Sequence, residues 1–182
     1  MKAFVLVIAT LFLSSCASMG SYTVSESQLE SYFQNAVKQF DHEQLKAGSP
    51  LSLELNDIDI AVGPDNRDVV QLALEGKIAI NAVLMELPVD VSVSIEGAPV
   101  YISKDNAIYI RRLKLLDSSV DSMFFKGNSK LVTDNVMGVL AKLLETVPVY
   151  RLDQSDFTQR VISTIPADIK VGKGKLIFVP SE

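Results

Sequence analysis

Between residues 69 and 84 lies the clearest alternation in the chain. Val70, Leu72, Leu74, Ile78, Ile80, Ala82 and Leu84 fall on one parity, with Gln71, Glu75, Lys77 and Asn81 on the other. A period of two is the mark of a half-buried strand, since successive side chains leave opposite faces of the backbone. Parity holds across Gly76, so the pattern predicts one long strand bending at the glycine, not two strands with a turn. Fully extended, the stretch would reach about 50 Å, against about 20 Å for an ordinary strand. The sheet that accommodates it is therefore expected to be strongly curved or wrapping.

The flanking stretches are also strands. Leu51, Leu53 and Leu55 share one parity, and Ile58, Ile60 and Val62 take the other after Asn56-Asp57. A phase change of one residue is what a β-bulge produces. Gly63 to Asn66 carries turn chemistry, and Pro88 is read as a second turn before Val89, Val91, Val93 and Ile95. Gly97-Ala98-Pro99 is expected to interrupt that strand. Val100 to Ile102 then pairs with Ala107 to Leu115 around Ser103 to Asn106, with another parity shift at Arg111-Arg112. Asp117 to Asn128 is read as a loop, and Ile169 and Val171 as a last hairpin with Leu176 and Phe178 through Gly172-Lys173-Gly174.

Two long stretches have the helical period. Ser25 and Gln28 form a capping box and Val24 and Leu29 a hydrophobic staple, opening a helix whose stripe is Leu29, Tyr32, Phe33, Ala36, Val37 and Phe40. From Ser129 to Thr146 a second wide apolar face includes Val132, Val136, Leu140, Leu143 and Leu144, and Pro148 stops it. Asp153 is the expected cap of a short third helix carrying Phe157, Val161, Ile162 and Ile165.

Ahead of this body, Met1 to Cys16 has the form of a secretory signal. Lys2 supplies the positive end, Ala3 to Leu13 the apolar run, and Ser14-Ser15 lead into the only cysteine. As a helix the run would be about 16 Å long, roughly half a hydrocarbon core, so it is too short to span. Leu13-Ser14-Ser15-Cys16 resembles the lipobox of bacterial lipoproteins. That resemblance implies removal of residues 1–15, acylation of Cys16 with chains such as palmitate, and a membrane attachment made permanent by more than one chain. Residues 16–23 then form a lipidated tether, and 24–182 a single domain.

Composition excludes several function classes. The chain carries a formal charge of −5, one unit lower once Lys2 is gone, which disfavours nucleic acid and basic gripping of lipid headgroups. One cysteine and one histidine, His42, placed just past the first helix, are too few for a histidine and cysteine metal site or a triad. Gly172-Lys173-Gly174-Lys175 has no following helix N-terminus to make it a phosphate loop. No catalytic residue, metal ligand or cofactor is expected, and the chain is not read as an enzyme.

Ala98-Pro99-Val100-Tyr101, followed by Ala107-Ile108-Tyr109-Ile110 and Leu113-Lys114-Leu115, resembles the central segment of the YceB-like bacterial lipoproteins. That family is similar in fold to the tubular lipid-binding superfamily, in which a strongly curved antiparallel sheet wraps a long helix and leaves an apolar seam. The resemblance implies an α+β, tubular lipid-binding-like domain that binds a lipid or other apolar ligand without transforming it. It also implies an outer-membrane location facing the periplasm, since Ala17 stands where an aspartate would retain a lipoprotein in the inner membrane. Phe33, Val37, Leu72, Leu74, Ile80, Val136 and Leu140, each on the apolar face of its element, are the expected lining residues. The alternative is an envelope protein that docks a protein partner through an exposed apolar patch and carries no ligand.

Overall fold

The structure, a computed structural model, describes residues 21–46, 51–82, 85–121, 138 and 141–181. In chain order the elements are β1 (Thr23–Ser25), α1 (Glu26–Lys46), β2 (Leu51–Val62), β3 (Val70–Ala82), β4 (Met85–Ile102) and β5 (Ala107–Asp121). There follow α2, described over residues 141–146, then β6 (Tyr150–Arg151), α3 (Phe157–Ser163), β7 (Ala167–Gly172) and β8 (Lys175–Pro180). Strands β2-β3-β4-β5-β6 form one antiparallel sheet in that order, and β1-β8-β7 a second.

The capping box forms as its spacing predicts. The Ser25 amide donates to Gln28 Oε1 at 2.9 Å, and the Gln28 amide lies 3.4 Å from Ser25 Oγ. Val24 and Leu29 are fully buried, so the staple fixes the angle at which the chain enters α1. Leu29, Phe33 and Val37 are buried, and Tyr32, Ala36 and Phe40 pack beside them. The helix runs on to Lys46, so His42 lies exposed within α1 and not beyond it.

This helix touches both edge strands of the larger sheet. It packs along β2, and at the opposite edge it meets β6, where the Tyr32 and Tyr150 ring centres are 5.5 Å apart. A sheet whose first and last strands reach the same helix is rolled around it, yet the edges meet the helix and not each other, so no barrel closes. Three bulge-like shifts assist the roll, because an extra residue bends a strand and increases its twist. One is at Asn56 on β2, and two fall on β5, at Leu116 and through Arg112, whose φ is 56°. The α+β fold, with a curved antiparallel sheet against helices, is as the alternation implied, and it fits the tubular lipid-binding-like description that the family resemblance implied.

The strands are longer and less interrupted than expected. Pro88 is no turn: it pairs with Ala79 inside β4, beyond Asp90, where the described β4–β5 pairing ends at Asp121. Among the described residues Pro88 is paired on the β3 side alone, the setting in which a strand tolerates a residue without an N–H. Nor does Gly97-Ala98-Pro99 break β4; Gly97 is the residue passed over where the register with β5 shifts. A Cβ there would lie 2.4 Å from Ile110 Cγ2 and 2.8 Å from the Arg111 carbonyl oxygen, so glycine serves close strand approach. Residues 117–121 belong to β5 and not to a loop. The cap of α3 is Asp156, which accepts from the Gln159 amide at 2.9 Å, while Asp153 closes the preceding turn by accepting from Ser155. Of the apolar residues assigned to α3, only Ile162 is buried. The C-terminal hairpin forms as expected, with Gly174 at φ 70° in its turn.

Candidate functional site

The bulge at Asn56 and the glycine at 76 create a local feature together. Leu55 pairs with Gly76 and Asp57 with Glu75, so the extra residue lies beside the one inward position of β3 that has no side chain. The β2 backbone leans into the space: a Cβ on Gly76 would sit 2.3 Å from the Glu54 carbonyl oxygen and 3.1 Å from Leu55 Cα. On the concave side a narrow apolar cleft opens there, with about 10 Å³ of free space. Among the described residues Leu53 and Leu55 of β2, Leu74, Gly76 and Ile78 of β3, and Val91 and Val93 of β4 line it. The pairings Gly76 with Val91 and Leu74 with Val93 set the third wall.

No charged or hydrogen-bonding side chain faces this cleft among those seven residues. The buried charge nearest in sequence, Glu96, has the opposite parity on β4 from Val91 and Val93. Arg67 holds it at 2.7 Å and Lys114 at 3.2 Å. The Arg67 guanidinium first, and then the Lys114 ammonium, keep the Glu96 carboxyl below the usual carboxylate range. Among the described residues no three His, Cys, Asp or Glu side chains are grouped to hold a metal ion. The surface that these seven residues present to the cleft is hydrocarbon and backbone.

The expected lining residues divide. All four described ones, Phe33, Val37, Leu72 and Leu74, are buried in the core between α1 and the sheet, and of these Leu74 also lines the cleft. The Ile80 side chain, Val136, Leu140 and Cys16 lie outside the described residues. In the sequence, Leu53, Leu55, Ile78, Val91 and Val93 stand out only as strand positions. The signal that could have found them was the juxtaposition of a phase change on one strand with an inward glycine on the next.

A family model described as a protein of unknown function, DUF1439, matches residues 24–175. The chain belongs to the DUF1439 family. The match opens at Val24, the first residue of the staple, and takes in α1, every strand of the larger sheet and the whole cleft. No curated protein matches the chain. No described helix is long and apolar enough to cross a membrane.

Proposed function

We propose that this protein is a lipid-anchored envelope protein, of the YceB-like kind, whose domain binds the hydrocarbon chain of a lipid or similar molecule without chemical change. The observation that carries the reading is the cleft at Gly76. It is concave, it opens on the inner side of a sheet rolled around a helix, and every described wall residue is apolar. Sites for whole drug-sized ligands usually span about 300–1,000 Å³, and the cleft as it stands holds only about 10 Å³ of free space, so an acyl segment enters it by parting the half-buried Leu53 and Leu55 from the rest of the wall. Anchoring through acylated Cys16 after loss of residues 1–15 completes the proposal, on the outer membrane and facing the periplasm. The support for that part is the lipobox-like Leu13-Ser14-Ser15-Cys16 and the alanine at position 17.

The test is to produce residues 17–182 in bacteria, purify them without detergent, and extract them with organic solvent for mass spectrometry. Stoichiometric fatty acid or phospholipid is the expected result. Leu55→Asp, which puts a carboxylate into a half-buried cleft wall, should lose that lipid while the far-ultraviolet spectrum stays unchanged. Any ligand that prefers the native state must stabilise it, by about 2.7 kcal/mol at a hundred times its Kd. An empty domain whose melting temperature added fatty acid fails to raise would end the proposal, and capture of a specific protein by that empty domain would favour the docking alternative.

A further inference from the structure

Phe157 and Val161 stand one helical turn apart on α3 and are 70% and 45% exposed, the two most exposed large apolar side chains among the described residues. Arg160 lies between them in sequence, its guanidinium 5.8 Å from the Phe157 ring centre. The opposite side of the same helix is tied down. Gln159 accepts from the Tyr150 hydroxyl at 3.1 Å, and that hydroxyl lies 2.8 Å from the Tyr22 hydroxyl. Helix α3 is thus fastened at the point where the N-terminal chain enters the fold.

We propose that Phe157 and Val161 form a foot that enters the interface of the bilayer to which the chain is anchored, holding the domain upright with its cleft away from that surface. The proposal rests on acylation of Cys16. Residues 16–21 can span at most about 20 Å, so an anchor there keeps the Tyr22 end, and α3 with it, within reach of the lipid. Side chains that are apolar or aromatic with a cation alongside are suited to this depth, where the ring meets acyl chains and the charge stays in water. Charge does not supply the attraction: Lys104, Arg151 and Arg160 at this end are matched by Asp105, Asp153 and Asp156. The partner is therefore a lipid surface of any headgroup charge, met through hydrocarbon.

The rest of the fold sets the orientation. Glu26 at the start of α1 accepts from the Val62 amide and Asp41 near its end from the Leu53 amide, so β2 runs back along the helix. The cleft residues Leu53 and Leu55 therefore lie at the end of the body remote from Tyr22. Helix α1, at 21 residues, is about 31 Å long.

The chain contains no tryptophan, so a single substitution gives an unambiguous probe. The full-length chain carrying Phe157→Trp is expressed in a Gram-negative host, purified with its N-terminus intact, and placed in phosphatidylcholine vesicles with brominated acyl chains. The expected result is blue-shifted emission that the bromolipid quenches, unaffected by 1 M salt, whereas Leu45→Trp, at the far end of α1, stays at the aqueous wavelength and unquenched. Water-like, unquenched emission from Phe157→Trp would overturn the foot, and blue-shifted emission that bromolipid leaves intact would replace it with a protein contact. The mass of the N-terminal peptide is measured on the same sample. An acylated Cys16 with unquenched Phe157→Trp refutes the foot alone; an unmodified Cys16 refutes the anchor and the foot with it.

Discussion

Glu96 is buried on β4 between two cations from different parts of the chain, Arg67 after β2 and Lys114 on β5. Its carboxyl pKa is lowered in the fold, so the folded state binds fewer protons than the unfolded one near that pKa. The stabilisation is fully present above the unfolded value of about 4.3 and is lost as pH falls through the folded value. Thermal melts of Glu96→Gln should therefore lie below wild type at pH 7, and the gap should close as pH falls from about 4.3 through the lowered folded value. Curves that stay parallel down to pH 2 would contradict this account. Gly76 acts through space and not through dihedral freedom, since its φ is ordinary and only its missing Cβ lets the β2 bulge approach. Gly76→Val should cost about 1–3 kcal/mol by overpacking, measured by urea denaturation, and should reduce lipid recovery in proportion to the volume filled.

Helix α1 seals the edge of β2. Glu26 accepts from the Val62 amide at 2.8 Å, Glu30 from the Ile60 amide at 3.0 Å and Asp41 from the Leu53 amide at 2.7 Å. An exposed edge strand is a template for aggregation, and here three carboxylates satisfy donors that would otherwise face solvent or another chain. The donors change parity from even to odd across Asn56, so the bulge keeps both halves of the edge turned toward the helix. Glu30→Ala should cost about 1.5–3 kcal/mol, the usual worth of a hydrogen bond to a charged group, and should speed hydrogen exchange at Ile60 selectively. Deleting Asn56 would be harsher, because it turns Leu53 and Leu55 outward and Glu54 inward. The expected outcome is loss of cooperative unfolding, or of the cleft, in that variant.

Across the whole molecule, α1 is the part on which both edges of the rolled sheet depend. Phe33 is fully buried at its centre, and Tyr32 beside it meets Tyr150 on β6. Phe33→Ala should destabilise by about 3–5 kcal/mol, the range for deleting a buried aromatic side chain. Because one helix holds β2 and β6 at once, exchange protection should fall in both strands together. Protection lost in β2 alone would mean that the far edge is held by the other strands and not by the helix.

What could be read from the residues alone was whatever depends on neighbours in the chain. The alternation around Gly76 specified β3, Ser25 and Gln28 specified the start of α1, and the phase change at Asn56 specified the bulge, because strand parity and helix capping act within a few residues. Pro88 and Gly97-Ala98-Pro99 were misread for the complementary reason. Whether a proline or glycine ends a strand depends on which partner strands lie opposite, and Ala79, Ile110 and Arg111 are distant in sequence. The cleft was likewise invisible, since it requires Leu55 of one strand to stand opposite Gly76 of the next. Side-chain identity set each face; only the register between strands and the roll of the sheet around α1 decided that Phe33, Val37, Leu72 and Leu74 would fill the core while Leu53 and Leu55 stay half-buried at its margin.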